Sequence, residues 1–224
     1  MSVKGLLYHS TVLAFTGYIT YWIFTCVEKP AIDNLVQLTT INTILILYYY
    51  FFACIQDIKN ILDEKFHERE YPYGNGVSLM YQTVFSLSHL VTVAYWALRL
   101  YDITLVVPAH ELGSVGWQSY WTHGINTLVL YLEIFLFKKK IPYANSYMLI
   151  HFSVFTVFYV FLQYWYHVIT GKHAYPFLAA LPIWAVGSFY FTLYLFMIGI
   201  YMIGKKLVRH THEKHHKKQK THTN

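Results

Sequence analysis

Charge is scarce in this sequence. Only 12% of its 224 residues are Asp, Glu, Lys or Arg, while 56% are hydrophobic. A soluble domain carries about 25% charged residues, so an ordinary water-exposed surface is excluded. Cysteine is scarcer still. Cys26 and Cys54 are the only two, and they fall toward opposite ends of the first two hydrophobic runs. A disulfide needs Cα atoms within about 7 Å, so none is expected between them. There is no CxxC, P-loop, GxGxxG or HExxH motif and no N-x-S/T acceptor, which removes the nucleotide and metalloprotease signatures. The repeated ten-residue alternation of a membrane β-barrel is also missing.

Long hydrophobic runs are abundant instead. About 20 apolar residues cross the hydrocarbon core as a helix. Six stretches reach or approach that length: 5–27, 35–56, 77–100, 117–137, 147–169 and 180–204. They predict an all-α bundle of six transmembrane helices in one domain, 1–204. The first run is long and ends in the bulky "TYWIFTC" with no small-residue cleavage site. It reads as a retained helix, not a signal peptide. The segment 205–224, "KKLVRHTHEKHHKKQKTHTN", is polar and basic and predicts a short disordered tail. It reads as an anchor against an anionic leaflet, in preference to a metal site on its histidines or a nucleic-acid surface.

Basic residues orient the spans, because Lys and Arg gather on the cytosolic side. Of 17 in all, only Lys29, Arg99 and Lys172 fall on the side opposite the termini. Both termini are therefore expected in the cytosol. The net charge of +6 sits mostly in the tail.

Polar groups inside spans are costly and mark function by default. His9 and His151 lie near the cytosolic ends and are expected to be interfacial; Tyr48, Tyr49 and Tyr50 read as packing or an aromatic belt. Topology separates out another set. The second and fourth spans begin on the outer side and the fifth ends there, so Thr39, His123, Asn126 and His167 share one layer. A hydroxyl beside an imidazole suggests nucleophilic catalysis. Threonine needs a base to take its proton, imidazole is the usual one, and further donors such as Asn126 stabilise an oxyanion.

The run "WYHVITGKHAYPFL" (165–178) fits W-x-H-x-x-T-G-x-x-x-Y-P-F-L. Leu38–Thr39 followed by a span ending at Asp57, and "HGINT" (123–127), fall in matching order. Together they resemble the androgen-induced gene 1 family along almost the whole chain. The resemblance implies a six-span membrane hydrolase with a threonine nucleophile, fatty acid esters of hydroxy fatty acids as substrates, and no metal or cofactor. Thr39 matches the nucleophile. The family's fourth-span motif is H-G-M-H-T, and its second histidine is the catalytic one. Here that position is Asn126, whose amide carries no available lone pair. Either His123 or His167 takes the base's role, or the chain hydrolyses no ester and is a silent lipid-binding or scaffold protein of the same fold. A small transporter or haem protein is a third, unsupported class.

The candidate catalytic residues are thus Thr39, His123 and Asn126, with His167, Tyr175 and Asn42 as candidate substrate contacts. The expected partners are a lipid substrate and the bilayer, with no nucleic acid. The expected location is a multi-pass position in the endomembrane system or plasma membrane.

Overall fold

The computed structural model describes residues 3–27, 30–62, 75–106, 116–137 and 145–222. The described residues form helices and no strand. They are α1 (Val3–Thr25), a short α2 (Ala31–Leu35), α3 (Leu38–Leu62), α4 (Asn75–Tyr101), α5 (Trp117–Tyr120), α6 (Asn126–Phe137), α7 (Asn145–Thr170) and α8 (Ile183–His222). A π-helical turn, Trp121–Ile125, joins α5 to α6, and 3₁₀ turns cover Ile103–Leu105 and Pro176–Ala180. Among the described residues, four helical stretches are long and apolar enough to cross a membrane: 38–62, 76–101, 147–170 and 183–207. These make the chain an integral membrane protein by length and composition. Lys29, Lys65, Arg69 and Lys138 to Lys140, which carry much of the expected topology, lie outside the described residues.

Helix α1 lies along α3, and the sequence pattern explains why. Its buried residues are Gly5, His9, Val12, Thr16, Ile19 and Ile23, spaced by three and four so that they form one stripe. The facing stripe of α3 includes Asn42, Ile46, Tyr49, Ala53, Asp57 and Asn60. Helix α4 packs between α3 and α8, and α7 packs on α8. Gly204 of α8 makes a close approach: a Cβ there would come 2.9 Å from Phe85 Cε1 of α4. Gly171, at φ 68°, ends α7 in the left-handed region that glycine alone enters freely.

One expectation fails at the Asp57 end of α3. His9 is fully buried, not interfacial. Its Nδ1 lies 2.5 Å from Asp57 Oδ2 and its Nε2 3.1 Å from Glu133 Oε1. Tyr49 and Tyr50 donate to the two oxygens of Glu133; only Tyr48 is exposed. A charge this deep must be paired, and His9 stands on the same stripe as Val12 and Thr16. Helix α8 runs on through His222. No Pro or Gly follows Gly204, and Lys, Gln and Glu are good helix formers, so nothing local ends the helix that the span has begun.

Candidate active site

Thr39 occupies the first turn of α3, and the way α3 begins follows from its neighbours. The carbonyl of Val36 accepts from Gln163 Nε2 at 2.5 Å and from Tyr159 Oη at 3.3 Å, both from α7. That carbonyl is therefore taken by side chains, and the first backbone bond into α3 runs from Ile41 N to Gln37 O. The helix starts afresh at Leu38, whose N–H donates to Tyr175 Oη at 2.9 Å. Asn34 Nδ2 ties α2 to Ile23 O of α1 at 3.2 Å. Thr39 is thus held from α1, α7 and the Tyr175 segment at once.

His123 reaches Thr39 from the π turn. Its Nε2 lies 3.1 Å from Thr39 Oγ1, and its Nδ1 lies 2.9 Å from Ser119 O. A carbonyl oxygen only accepts, so Nδ1 carries the proton. The Nε2 lone pair is then free to accept the Thr39 hydroxyl, the polarity a general base requires. His123 is held at two further points, one on its ring and one on its backbone. Tyr95 stacks on it with centroids 3.5 Å apart and planes at 16°, and Trp96 Nε1 donates to His123 O at 2.7 Å. Behind the stack, Arg99 Nη1 donates to Tyr95 Oη at 2.7 Å, and that hydroxyl meets Ser119 Oγ at 2.9 Å. His123 itself has φ −115° and ψ 15°, in the sparsely populated bridge region where active-site residues recur. Thr39, His123 and Tyr175 line one cavity of about 260 Å³, whose walls are otherwise largely apolar.

The sequence model for FAR-17a/AIG1-like proteins matches residues 4–209. The chain belongs to the FAR-17a/AIG1-like family. It is 25% identical over 215 residues to the human androgen-dependent TFPI-regulating protein, covering 90% of each chain. The mouse protein of that name is 26% identical over 176 residues, covering 76% of this chain and 74% of its own. The one from Mesocricetus auratus is 24% identical over 172 residues, covering 76% and 73%. No solved structure matches the chain.

In this FAR-17a/AIG1-like chain the other three expected site residues stand elsewhere. Asn126 does not line the cavity. It donates from Nδ2 to Thr122 O at 3.0 Å and accepts from Thr127 Oγ1 at 3.3 Å. On a regular helix positions 123 and 126 share a face, but i→i+5 bonding in the π turn widens that turn and carries Asn126 off the face of His123. Asn42 accepts from Ser88 Oγ at 3.2 Å, deep between α3 and α4. His167 stacks on His173 with centroids 4.2 Å apart, and its Nδ1 lies 3.2 Å from Lys172 O, away from the cavity. Burial and the neighbouring His167 hold His173 below the ordinary histidine range. Sequence reasoning missed Tyr95, Ser119 and Trp96. A tyrosine and a tryptophan in a membrane span resemble any other packing aromatics, and only the neighbouring Arg99, a cation near a span's end, was a signal. Among the described residues no cluster of His, Cys, Asp and Glu is suited to a metal ion. Cys26 and Cys54 are both free thiols.

Proposed function

We propose that the protein is an intramembrane lipid esterase in which Thr39 is the nucleophile and His123 the general base. The 3.1 Å contact between Thr39 Oγ1 and His123 Nε2 in a largely apolar cavity carries this reading. As Thr39 Oγ1 bonds to the acyl carbon, its proton passes to Nε2 and the carbonyl electrons move to oxygen. Collapse of that intermediate breaks the ester C–O bond, and the leaving alkoxide takes the proton from His123. Water then attacks the acyl-threonine with His123 again as base, releasing the acid and restoring the hydroxyl. Ser119 O holds Nδ1 throughout, stabilising the transient imidazolium as the third member of a triad does. The apolar walls suit acyl chains, and the family resemblance points to fatty acid esters of hydroxy fatty acids.

Six spans with both termini cytosolic belong to the same proposal. It sets the cavity in the outer half of the membrane and the His9–Asp57–Glu133 cluster in the inner half. The two stand 18 residues apart along α3, from Thr39 to Asp57, or about 27 Å at 1.5 Å per residue. Asn126 supports a second reading. At the position where the family carries its histidine, this chain has an amide turned from the cavity, as a silent lipid-binding protein would tolerate. Hydrolysis of a palmitate ester of hydroxystearate by purified protein separates the two. Wild type should turn over, Thr39→Ala should not, and His123→Ala should be strongly slowed. Turnover by Thr39→Ala equal to wild type would overturn the esterase; lipid retained through purification without turnover would favour the silent protein.

A further inference from the structure

Helix α3 opens with donors to spare. The first backbone bond into it is Ile41 N to Gln37 O, so the N–H groups of Leu38, Thr39 and Thr40 find no carbonyl a turn back. Leu38 N gives its hydrogen to Tyr175 Oη. Thr40 N–H would ordinarily take Val36 O, four residues earlier. That oxygen has two lone pairs, and Gln163 Nε2 and Tyr159 Oη of α7 claim both. The same two side chains shut out the Thr40 hydroxyl. A helical threonine can bond back to the carbonyl four residues earlier, as Thr43 does to Thr39 O at 2.9 Å, but Thr40 has no free carbonyl there. Among the described residues nothing bonds Thr40 Oγ1. Thr40 is 3% exposed and borders the cavity of Thr39 and His123. Its oxygen is not sealed in as Tyr190 Oη is, so the little surface it keeps opens on that cavity.

Valine would fill the space of Thr40, so packing does not call for its oxygen, and donors left unpaired beside apolar walls are costly. A molecule in the cavity would use them. Resting on the esterase reading above, we infer that Thr40 binds the oxyanion: its backbone N–H and its hydroxyl both donate to the acyl carbonyl oxygen of the substrate. The chemistry needs such donors, because attack by Thr39 turns that oxygen into an oxyanion. Position favours them. Thr40 follows the nucleophile directly in the chain, and the oxygen in question sits on the very carbon that Thr39 Oγ1 attacks. In a helix the Cα–Cβ bond tilts toward the N-terminus, and the first N–H groups point out past that end. The Thr39 hydroxyl therefore stands on the side to which the Thr40 N–H points. The N–H and the hydroxyl of one residue are close enough to meet on one acceptor. The charge also forms in the first turn of a 25-residue helix, whose N-terminal dipole favours it. No proton changes hands with Thr40: the Thr39 proton goes to His123, and the leaving alkoxide takes it from there.

The test is Thr40→Val in the full-length protein, assayed with the palmitate ester of hydroxystearate beside wild type, Thr40→Ser and Thr39→Ala. Loss of one oxyanion donor typically lowers kcat about 10²–10³-fold, and that fall is expected in Thr40→Val with KM changed little. Thr40→Ser keeps a hydroxyl and should fall far less. A backbone exchange tests the other donor. Replacing Thr40 by its α-hydroxy acid turns the amide into an ester, which removes the N–H and leaves every side chain in place; kcat should drop by a similar factor. In both variants affinity for a long-chain trifluoromethyl ketone, which forms a tetrahedral oxyanion on Thr39, should fall with kcat. Affinity for an unhydrolysable ether analogue should hold. Thermal stability of Thr40→Val should be unchanged or raised, since the hydroxyl has no protein partner to lose. Wild-type kcat in either variant, with Thr39→Ala inactive, would overturn this assignment and leave the esterase standing. Equal weakening of the ketone and the ether analogue would also overturn it, as the mark of a loosened pocket. Turnover by Thr39→Ala equal to wild type, or none by wild type, would remove the esterase and the oxyanion role together.

Discussion

On the proposed esterase reading, His123 serves as the base through the group on its far side. With Nδ1 held by Ser119 O, Nε2 presents its lone pair to Thr39. General-base assistance is typically worth 10²–10⁴-fold, and His123→Ala should lose that much turnover. Asn126→His should add little, because its site points at Thr122 O instead of the cavity. The double variant should be as inactive as His123→Ala; recovery of activity there would show that position 126 does reach the nucleophile. Tyr95→Ala removes the stacking wall and should lower kcat well before it lowers thermal stability, as measured by turnover and melting on the same preparation. The His167–His173 stack is a separate matter. His173 is held below its ordinary value, near 6.5, so protons bind more readily once the stack opens. Its contribution to holding the 171–175 loop is therefore present above about pH 6.5 and lost as pH falls. Amide exchange at 172–175 should accelerate on acidification, and His173→Gln should flatten that response.

Helix α1 is bound to its neighbours by more than apolar packing. His9 joins it to Asp57 of α3 and Glu133 of α6, and breaking such a buried pair typically costs about 3–5 kcal/mol. His9→Ala should lower stability by that order in an unfolding titration, while His151→Ala should not. Much of this architecture was legible in the sequence: the spacing of Val12, Thr16, Ile19 and Ile23 marks the buried stripe of α1, and the same stripe also marked His9. Depth alone led to its being read as interfacial. The pairing of Thr39 with His123 was legible as shared depth. The displacement of Asn126 was not, because one wider turn has no signature in hydrophobic spacing. The close approach of α4 and α8 at Gly204 was equally hidden. Gly204→Val should push Phe85 aside and loosen that pair, read as a lower melting temperature.

At the scale of the whole molecule the two ends differ in chemistry. One holds a cavity with a hydroxyl and an imidazole, the other a dense ionic knot. On the six-span arrangement proposed above, a cysteine at Lys172 should label with an impermeant reagent only from the non-cytosolic side; labelling from the cytosol would refute that arrangement. The knot also has a consequence for synthesis. Its members leave the ribosome far apart, His9 first, Asp57 next and Glu133 last. Helix α1 emerges carrying a group that lipid receives poorly, and its final ligand is 124 residues downstream. The early helices are therefore poor candidates for release into the bilayer one at a time. They should linger beside the insertion machinery until α6 arrives, and crosslinks from α1 to that machinery should persist in nascent chains truncated before Glu133 and vanish in chains that extend past it.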